Sequence, residues 1–287
     1  MATDTNRFQA IISHCKEYGF IFPSSEIYDG LSAVYDYGQW GSELKKNIRD
    51  YWWKSMTQMH ENIVGIDAAI FMHPTTWKAS GHVDNFSDPM IDNKDSKKRY
   101  RVDHLLEAKA EELEKAGDQA AAQALLVEMN KLLNANDYDG LKKLIEENKI
   151  KCSVSGTANW TDVRQFNLMF STQLGSVSDE ASEIYLRPET AQGIFVNFLN
   201  VQKTGRMKIP FGIAQTGKAF RNEIVARQFI FRMREFEQME MQFFVRPGTQ
   251  MPWYEHWKQE RLNWHISLGI PKEKFRFHDH EKLAHYA

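Results

Sequence analysis

The stretch Phe220-Arg221-Asn222-Glu223, followed after a short segment by Arg232-Met233-Arg234-Glu235-Phe236, decides the fold of this chain. Around it, the segments 208–220, 229–235 and 237–245 alternate between apolar and polar residues. Such alternation is typical of strands in an antiparallel sheet. We therefore expect strands joined by a loop, with three arginines and several carboxylates gathered at one end of a hairpin.

This hairpin has the residue types that a phosphate site requires. Arginine can hold a phosphate through two parallel hydrogen bonds, and a fixed arginine stabilises the charge that develops on an attacked phosphorus atom. An aromatic ring at Phe236 can stack on a purine. Composition alone favours a simpler interpretation, a surface hairpin with weak cross-strand ion pairs. The order and spacing of the residues shift the balance towards a nucleotide site.

Overall composition excludes several other classes of protein. Lys and Arg number 36 against 38 Asp and Glu, so any contact with nucleic acid must come from a local basic patch. The two cysteines, Cys15 and Cys152, exclude a disulfide framework and favour a reducing cytoplasm. No segment has the pattern of a signal peptide or the length of a bilayer span. We expect a cytoplasmic protein without a membrane segment.

The remaining pattern predicts an α+β fold, in which helices flank an antiparallel sheet and a helical insertion interrupts it. Predicted helices cover about 7–20, 42–61 and 253–268, and a strand covers 63–72. Three helical pieces fill 103–150, with Asp118 as the N-cap of the second. Pro188 has the residue type favoured at the first position of a helix. A stripe of apolar residues should bury one face of the helix over 42–61: Leu44, Ile48, Trp52, Met56 and Met59.

The spacing Arg-x-Glu, a loop, Arg-x-x-x-Phe and a glutamate four residues later resembles motif 2 of class II aminoacyl-tRNA synthetases. Other segments resemble the glycyl-tRNA synthetases in particular, and the resemblance runs from about residue 20 to the C-terminus. These segments are 34–38 (Val-Tyr-Asp-Tyr-Gly), 80–84 (Ser-Gly-His-Val-Asp), 100–105 (Tyr-Arg-Val-Asp-His-Leu), 166–170 (Phe-Asn-Leu-Met-Phe) and 186–195 (Leu-Arg-Pro-Glu-Thr-Ala-Gln-Gly-Ile-Phe).

The resemblance implies a role for each matching residue. Arg221 would be the catalytic residue, holding the ATP α-phosphate and the glycine carboxylate, and Arg232 would reach the outer phosphates. The implied ATP-binding residues are Arg221, Asn222, Glu223, Phe231, Arg232, Met233, Arg234, Glu235 and Phe236. The implied glycine-binding residues are Arg101, Glu189, Phe236, Glu237, Gln238, Met239 and Glu240.

The family activity would be ATP-dependent formation of glycyl-adenylate and transfer of glycine to tRNA(Gly). Mg²⁺ would enter with ATP, and the complete protein would be a homodimer. The resemblance divides the chain into 1–102, with a motif 1-like dimerisation helix and strand, a mainly helical insertion over 103–160, and 161–287 with motif 2. Motif 3 and an anticodon-binding domain are absent from this sequence, so we expect an incomplete fragment whose activity alone is open.

Two alternatives remain open, and one metal is not expected. The chain could be a non-catalytic, synthetase-like fragment for binding or dimerisation, or an ATP-dependent amide ligase on the same fold. Some members of the family carry a Cys-x-x-Cys pair where this sequence has Cys152-Ser153-Val154-Ser155. One ligand is therefore missing, and we expect no zinc. The late histidines, His278, His280 and His285, have no partnered cysteine or acidic ligand.

Overall fold

The computed structural model describes residues 2–175, 182–224 and 229–279. The chain divides into two compact units. The first unit comprises residues 1–83 and 169–287, and the second comprises residues 84–168. The predicted insertion, 103–160, lies inside the second unit, while the predicted domain boundaries themselves stay a prediction.

The described residues form both helices and strands. The helices are α1 (Ala2–Glu17), α2 (Gln39–Thr57), α3 (Pro74–Ala79), α4 (His82–Asn85), α5 (Val102–Lys115), α6 (Gln119–Asn134), α7 (Tyr138–Glu147), α8 (Ala191–Val196), α9 (Phe198–Thr204) and α10 (Gln250–Ser267). The strands are β1 (Ile21–Pro23), β2 (Tyr35–Tyr37), β3 (Ile63–Ile66), β4 (Phe71–Met72), β5 (Ser87–Asp92), β6 (Arg99–Arg101), β7 (Arg164–Asn167), β8 (Ser171–Leu174), β9 (Ser182–Leu186), β10 (Phe211–Phe220) and β11 (Glu235–Phe244).

The central sheet of the first unit has the order β11-β10-β3. β10 and β11 are antiparallel over ten residue pairs, from Phe211 opposite Phe244 to Phe220 opposite Glu235. β3 joins the other edge of β10 in parallel, with Ile63 opposite Gly212. The hairpin that the alternating pattern predicts is thus present, and the antiparallel α+β class is confirmed.

Both faces of this sheet are covered by helices, which gives the first unit two apolar clusters. On one face, Trp52 and Met56 of α2 pack with Ile63, Ala214 and Trp264. On the other face the buried residues are Ile194, Phe211 and Ile213, with Phe198 and Phe244 packed against them. Trp52 and Met56 of the predicted α2 stripe are buried and Ile48 is half-buried, but at its ends Leu44 is 52% and Met59 71% exposed.

Three details of the predicted elements are wrong. The strand expected over 63–72 is two strands, since β3 belongs to the central sheet and β4 to a separate sheet of order β4-β9-β8. Residues 229–231 form a 3₁₀ turn instead of a strand. The helix expected to begin at Pro188 begins at Ala191, so Pro188 lies in the bent segment that precedes α8. In each case contacts with residues distant in the sequence override the structure that the local pattern predicts.

The second unit has a hydrophobic core of its own. α5, α6 and α7 are the three predicted helical pieces, and the Asp118 side chain accepts from the Ala121 amide as the predicted N-cap of α6. Buried Leu106, Leu141 and Ile145 lie in one cluster that also includes Ile91 of β5. The sheet β6-β5-β7 is antiparallel, and it completes this unit.

Among residues 2–175, 182–224 and 229–279, no helix combines the length and the apolar character needed to cross a bilayer.

A close approach of two backbones fixes the start of α2. A Cβ atom at Gly41 would lie 1.9 Å from the carbonyl oxygen of Phe20, so only glycine has room there. We expect Gly41→Ala to lower the free energy of unfolding by about 1–3 kcal/mol, because the main chain must move. Urea unfolding would measure this change. Ser42→Ala, the exposed next residue, is the matched control, and equal stability of the two variants would contradict the close approach.

Candidate active site

A buried arginine anchors the segment between β9 and α8. Arg187 is 2% exposed, and its guanidinium donates to the carbonyl oxygens of Lys218 in β10 and Ala68 after β3, each at 2.7 Å. Its own carbonyl accepts from the Phe220 amide at 2.9 Å. A Cβ atom at Gly217 would collide with this guanidinium at 2.2 Å. These contacts hold residues 187–190 against the end of β10 that precedes Arg221.

Glu189 follows this anchor and is a buried carboxylate, 7% exposed. Its Oε1 atom lies 3.4 Å from Nε2 of His82. Burial alone would raise the pKa of Glu189, but hydrogen bonds from His82 and Gln192 and the charge of Arg221 outweigh burial and lower the pKa below its ordinary value. Glu189 is therefore an ionised carboxylate at neutral pH, and it can receive a cationic group.

Thr190 ties the same segment to β11. Its amide donates to Oε1 of Gln238 at 3.0 Å, and its hydroxyl donates to Oε2 of Glu240 at 2.6 Å. The other oxygen of Glu240 accepts from Gln242 at 2.7 Å. Residues 238, 240 and 242 share one face of β11 because alternate side chains of a strand point the same way. The contacts of one threonine thus bring Gln238 and Glu240 to the segment that carries Glu189.

Arg221 lies where β10 ends, beside both the anchored segment and an aromatic ring. Its Nε donates to the carbonyl oxygen of Pro188 at 3.1 Å, and its guanidinium carbon lies 5.4 Å from the ring centre of Phe236. Its amide donates to the carbonyl of Arg234 at 2.9 Å. Arg221 and Phe236 are therefore neighbours, as the predicted nucleotide site requires.

The other two arginines of the hairpin are held by Glu223 and by a distant loop. Arg232 donates from Nε to the Glu223 carboxylate at 2.7 Å, and its side chain remains 40% exposed. Arg234 donates to the carbonyl oxygens of Glu223, at 3.2 Å, and Ser32, at 2.9 Å. Arg232 can thus turn towards an anion, whereas Arg234 supports the backbone of the loop.

A cavity of about 560 Å³ opens between this hairpin and α2. Its volume is in the range of a small-molecule site. Eight of the sequence-predicted site residues line it: Arg221, Glu223, Phe231, Arg232, Met233, Phe236, Glu237 and Met239. The side facing them combines the apolar residues Phe20, Leu44 and Ile48 with the cations Lys45 and Arg49 of α2.

Glu237 and Met239 lie on the face of β11 opposite Gln238 and Glu240. Glu237 is bound by α2, where Lys45 Nζ lies 2.6 Å from Oε2 and Arg49 Nη1 lies 3.3 Å from Oε1. Burial would raise the pKa of Glu237, but these two cations outweigh it and lower the pKa. The pair of cations makes Glu237 a clamp between β11 and α2.

The remaining predicted residues lie at other places. Arg101 belongs to the second unit, where it pairs with Asp88 and Asp103 at 3.0 and 2.6 Å. Glu235 pairs with Lys218 on the neighbouring strand. Asn222 lies in the loop between β10 and β11. The structure therefore brings together most of the predicted residues of the first unit but leaves Arg101 in a separate one.

Four residues of this site were absent from the sequence-based prediction: His82, Thr190, Gln192 and Gln215. All four are buried, and three of them stand inside segments that carried the family resemblance. Gln192 Oε1 and both polar side-chain atoms of Gln215 have no hydrogen-bond partner among the described residues. Buried polar groups without partners are costly, so they mark a place where a polar ligand can bind. The signal available in the sequence for Gln215 was a Gln that directly follows the apolar run 211–214 in a predicted strand.

No three His, Cys, Asp or Glu side chains of the described residues come together as a metal site. In the second unit, Cys152 Sγ accepts from the amides of Val154 and Ser155 at 3.4 and 3.5 Å, and Ser96 Oγ lies 3.2 Å away. Two backbone amides and the hydroxyl groups of Ser96 and Tyr100 thus surround this sulfur atom. His280 and His285 lie outside the described residues, and the absence of zinc stays a prediction.

Comparison with known proteins identifies both units. The family model described as tRNA synthetase class II core domain (G, H, P, S and T) matches residues 170–286. The model described as glycyl-tRNA synthetase insertion domain 1 matches 88–124 and 116–168, within the second unit. The first unit therefore contains a class II tRNA synthetase core, and the antiparallel sheet agrees with that class.

Three curated relatives carry the name glycine–tRNA ligase. That of Chlorobaculum tepidum is 58% identical over 96% of this chain and 59% of its own length. Those of Macrococcus caseolyticus and Staphylococcus saprophyticus are 51% and 50% identical over 97% and 99% of this chain, and 58% and 59% of their own lengths. The chain thus spans about three fifths of these relatives. Over nearly its whole length it is similar to glycine–tRNA ligases.

Among solved structures, the RNA binding domain of threonyl-tRNA synthetase from Cryptosporidium parvum Iowa II covers 87% of this chain and 40% of that chain, with a TM-score of 0.45 and 15% identity. A likeness of this size supports no conclusion about the chain.

The ion pairs of Glu237 with Lys45 and Arg49 should make the stability of the fold depend on pH. Because its folded-state pKa is lowered, Glu237 stabilises the fold above its ordinary value of 4.5, and this contribution disappears as the pH falls through the folded-state pKa. We expect Glu237→Gln to lower the free energy of unfolding by about 1–3 kcal/mol at pH 7, and by progressively less below pH 4.5. Urea titrations at several pH values would measure the difference.

The matched control is Glu235→Gln on the same strand, whose exposed pair with Lys218 should contribute less than about 1 kcal/mol. A loss at Glu237 that did not change between pH 7 and pH 3 would show that the clamp acts through packing and not through charge.

Proposed function

We propose that this chain carries the amino-acid activation site of a glycine–tRNA ligase, which forms glycyl-adenylate from glycine and ATP and transfers the glycyl group to tRNA(Gly). One observation carries the proposal. The segment 187–190 contacts both strands of the hairpin: Pro188 accepts from Arg221 and Thr190 donates to Glu240, so that both side chains are held next to Glu189. The names of the curated relatives support the same activity.

In this proposal Arg221 and Phe236 bind the ATP. The guanidinium of Arg221 holds the α-phosphate, and the ring of Phe236 stacks on adenine. Arg232, which is exposed and bound to one carboxylate, turns to the outer phosphates. Glu223 faces the adenine side of the same cavity. Asn222, Phe231, Met233, Arg234 and Glu235 build the loop around these groups.

The proposed glycine site consists of Glu189, Gln238 and Glu240. The carboxyl groups of Glu189 and Glu240, beside one threonine, provide acceptors for an ammonium group. Glycine offers no side chain to bind, so selectivity must come from excluding the Cβ of every larger amino acid. The buried segment 187–190 is held at both ends and cannot yield to that extra bulk.

The reaction follows from this placement. A carboxylate oxygen of glycine attacks the α-phosphorus of ATP, a new phosphorus–oxygen bond forms, and pyrophosphate leaves. A 3′-terminal hydroxyl of tRNA(Gly) then attacks the glycyl carbonyl carbon, and AMP leaves. Arg221 stabilises the charge on the α-phosphate in the first step, and alignment of the two substrates supplies much of the acceleration. Mg²⁺ is carried by the phosphate oxygens of ATP.

We propose a homodimer for the complete protein, formed through α2 and the strand that follows it. The large exposed side chains of α2 support this, since Trp40 is 61% and Tyr51 43% exposed. We also propose a cytoplasmic location, because Cys15 and Cys152 are both free thiols.

The first test is thermal unfolding of this chain with a non-hydrolysable glycyl-adenylate analogue, and with the alanyl and seryl analogues as controls. A ligand that binds only the folded state raises the melting temperature by mass action. We expect a rise with the glycyl analogue alone. A rise with none of the three would favour the alternative, a synthetase-like fragment that does not activate an amino acid.

The second test is substitution of the phosphate-binding arginine. We expect Arg221→Ala to weaken binding of the glycyl analogue at least about 10-fold, because a charged hydrogen bond to phosphate is lost. Isothermal titration calorimetry would measure the dissociation constant. Arg246→Ala, at an exposed position after β11, is the control and should bind as the parent does. Undiminished affinity in Arg221→Ala would contradict the role of Arg221.

A further inference from the structure

A chain of polar contacts leads from the end of α3 to Glu189. Ser80 is the C-cap of α3, and its Oγ lies 2.8 Å from Nδ1 of His82. On the other side of the ring, Nε2 of His82 lies 3.4 Å from Oε1 of Glu189. Gly81 between them has a φ of 76°, a conformation that glycine adopts without strain, and this turn brings the ring of His82 back over Ser80.

The ring of His82 is held tightly in this place. His82 is 9% exposed, and its ring meets Trp77 edge-on at a centroid distance of 5.5 Å. Trp77 itself is fully buried. A buried aromatic neighbour leaves the imidazole little freedom to rotate, so its two nitrogen atoms face fixed partners.

The chemistry of these partners decides where the proton on the ring must be. Glu189 is ionised, and an ionised carboxylate can only accept, so Nε2 must carry a proton to bond with it. In the neutral ring, Nδ1 is then the acceptor, and the Ser80 hydroxyl can donate to it at 2.8 Å. Ser80 Oγ also lies 3.3 Å from the Trp77 carbonyl, the longer of its two contacts.

The Glu189 oxygen that His82 faces has no other close polar partner among the described residues. Oε1 of Glu189 is fully buried and makes no hydrogen bond of ordinary geometry among the described residues. At 3.4 Å the contact from His82 Nε2 is longer than an ordinary N–H···O hydrogen bond. Nε2 therefore guides this oxygen without neutralising it, and the carboxylate stays available to a second cationic group.

We propose that His82 is a positioning residue for the amino-acid site: it holds Glu189 in the orientation that receives the substrate ammonium group, and Ser80 fixes the ring nitrogen that carries the proton. The inference rests on the proposed function, because it gives Glu189 its ligand. His82 touches neither ATP nor the reacting atoms in this scheme. Its effect is confined to the affinity for the ammonium group.

The experiment compares two ligands that differ in one amino group. One is the non-hydrolysable glycyl-adenylate analogue, and the other is the acetyl analogue, in which hydrogen replaces the amino group. The dissociation constant of the acetyl analogue divided by that of the glycyl analogue, both measured by calorimetry on this chain, reports the contribution of the ammonium group alone. A purely structural loss would weaken both ligands equally and leave the ratio unchanged.

Four variants separate the possibilities. We expect His82→Leu to reduce the ratio about 10-fold, because the donor to Glu189 is lost. Ser80→Ala should reduce the ratio about 3-fold, because the imidazole remains but no hydroxyl group fixes which ring nitrogen carries the proton. His82→Gln should restore most of the ratio, since its amide nitrogen can occupy the place of Nε2. His104→Gln, an exposed histidine of the second unit, is the control.

The outcomes distinguish this inference from the function on which it rests. If the parent chain binds the glycyl analogue more tightly and His82→Leu and Ser80→Ala keep the full ratio, His82 does not position Glu189. If the parent chain binds neither analogue, or binds both equally, the proposed function itself fails and the inference with it. Ser80→Ala keeps the imidazole in the core, so the result does not depend on the stability of the leucine variant.

Discussion

The site depends on one buried guanidinium. Arg187 donates to the backbone carbonyls of Lys218 and Ala68, which belong to segments far apart in the sequence. Carbonyl oxygens do not titrate, so the acceptors of this anchor do not change with pH. Because the next three residues follow directly, the position of Arg187 fixes Pro188 and Thr190. The carbonyl of Pro188 accepts from Arg221, and the hydroxyl of Thr190 donates to Glu240 of β11. A lysine has a single nitrogen and could not span both carbonyls in this geometry.

The local part of this architecture could be predicted from the sequence, and the non-local part could not. Amphipathic spacing predicted α2, and the N-cap at Asp118 predicted the start of α6, since both depend on neighbouring residues. Arg221 beside Phe236 also followed from spacing. The break between β3 and β4 could not be predicted, because the two strands have different partners in different sheets. His82 was missed for the same reason: its partner Glu189 lies more than a hundred residues away in the sequence.

The two faces of β11 contact different parts of the first unit. One face contacts α2 through the charges of Glu237, and the other presents Gln238 and Glu240 to the segment after Arg187. Sequence reasoning gave all these residues one role, although strict alternation along a strand already separates odd from even positions. Among the described residues, Gln192 Oε1 and both polar side-chain atoms of Gln215 have no hydrogen-bond partner. Such buried, unpaired polar atoms lower the free energy of unfolding.

The self-contained core of the second unit has a consequence for the order of folding. β3 pairs in parallel with β10, and residues 84–168 all lie in the chain between these strands. Closing so long a loop from a disordered chain is slow, because its entropy is lost before any strand contact forms. A bundle of three helices has mostly local contacts and can collapse by itself. We expect it to form early, so that the sheet closes around a loop already shortened by a folded insert.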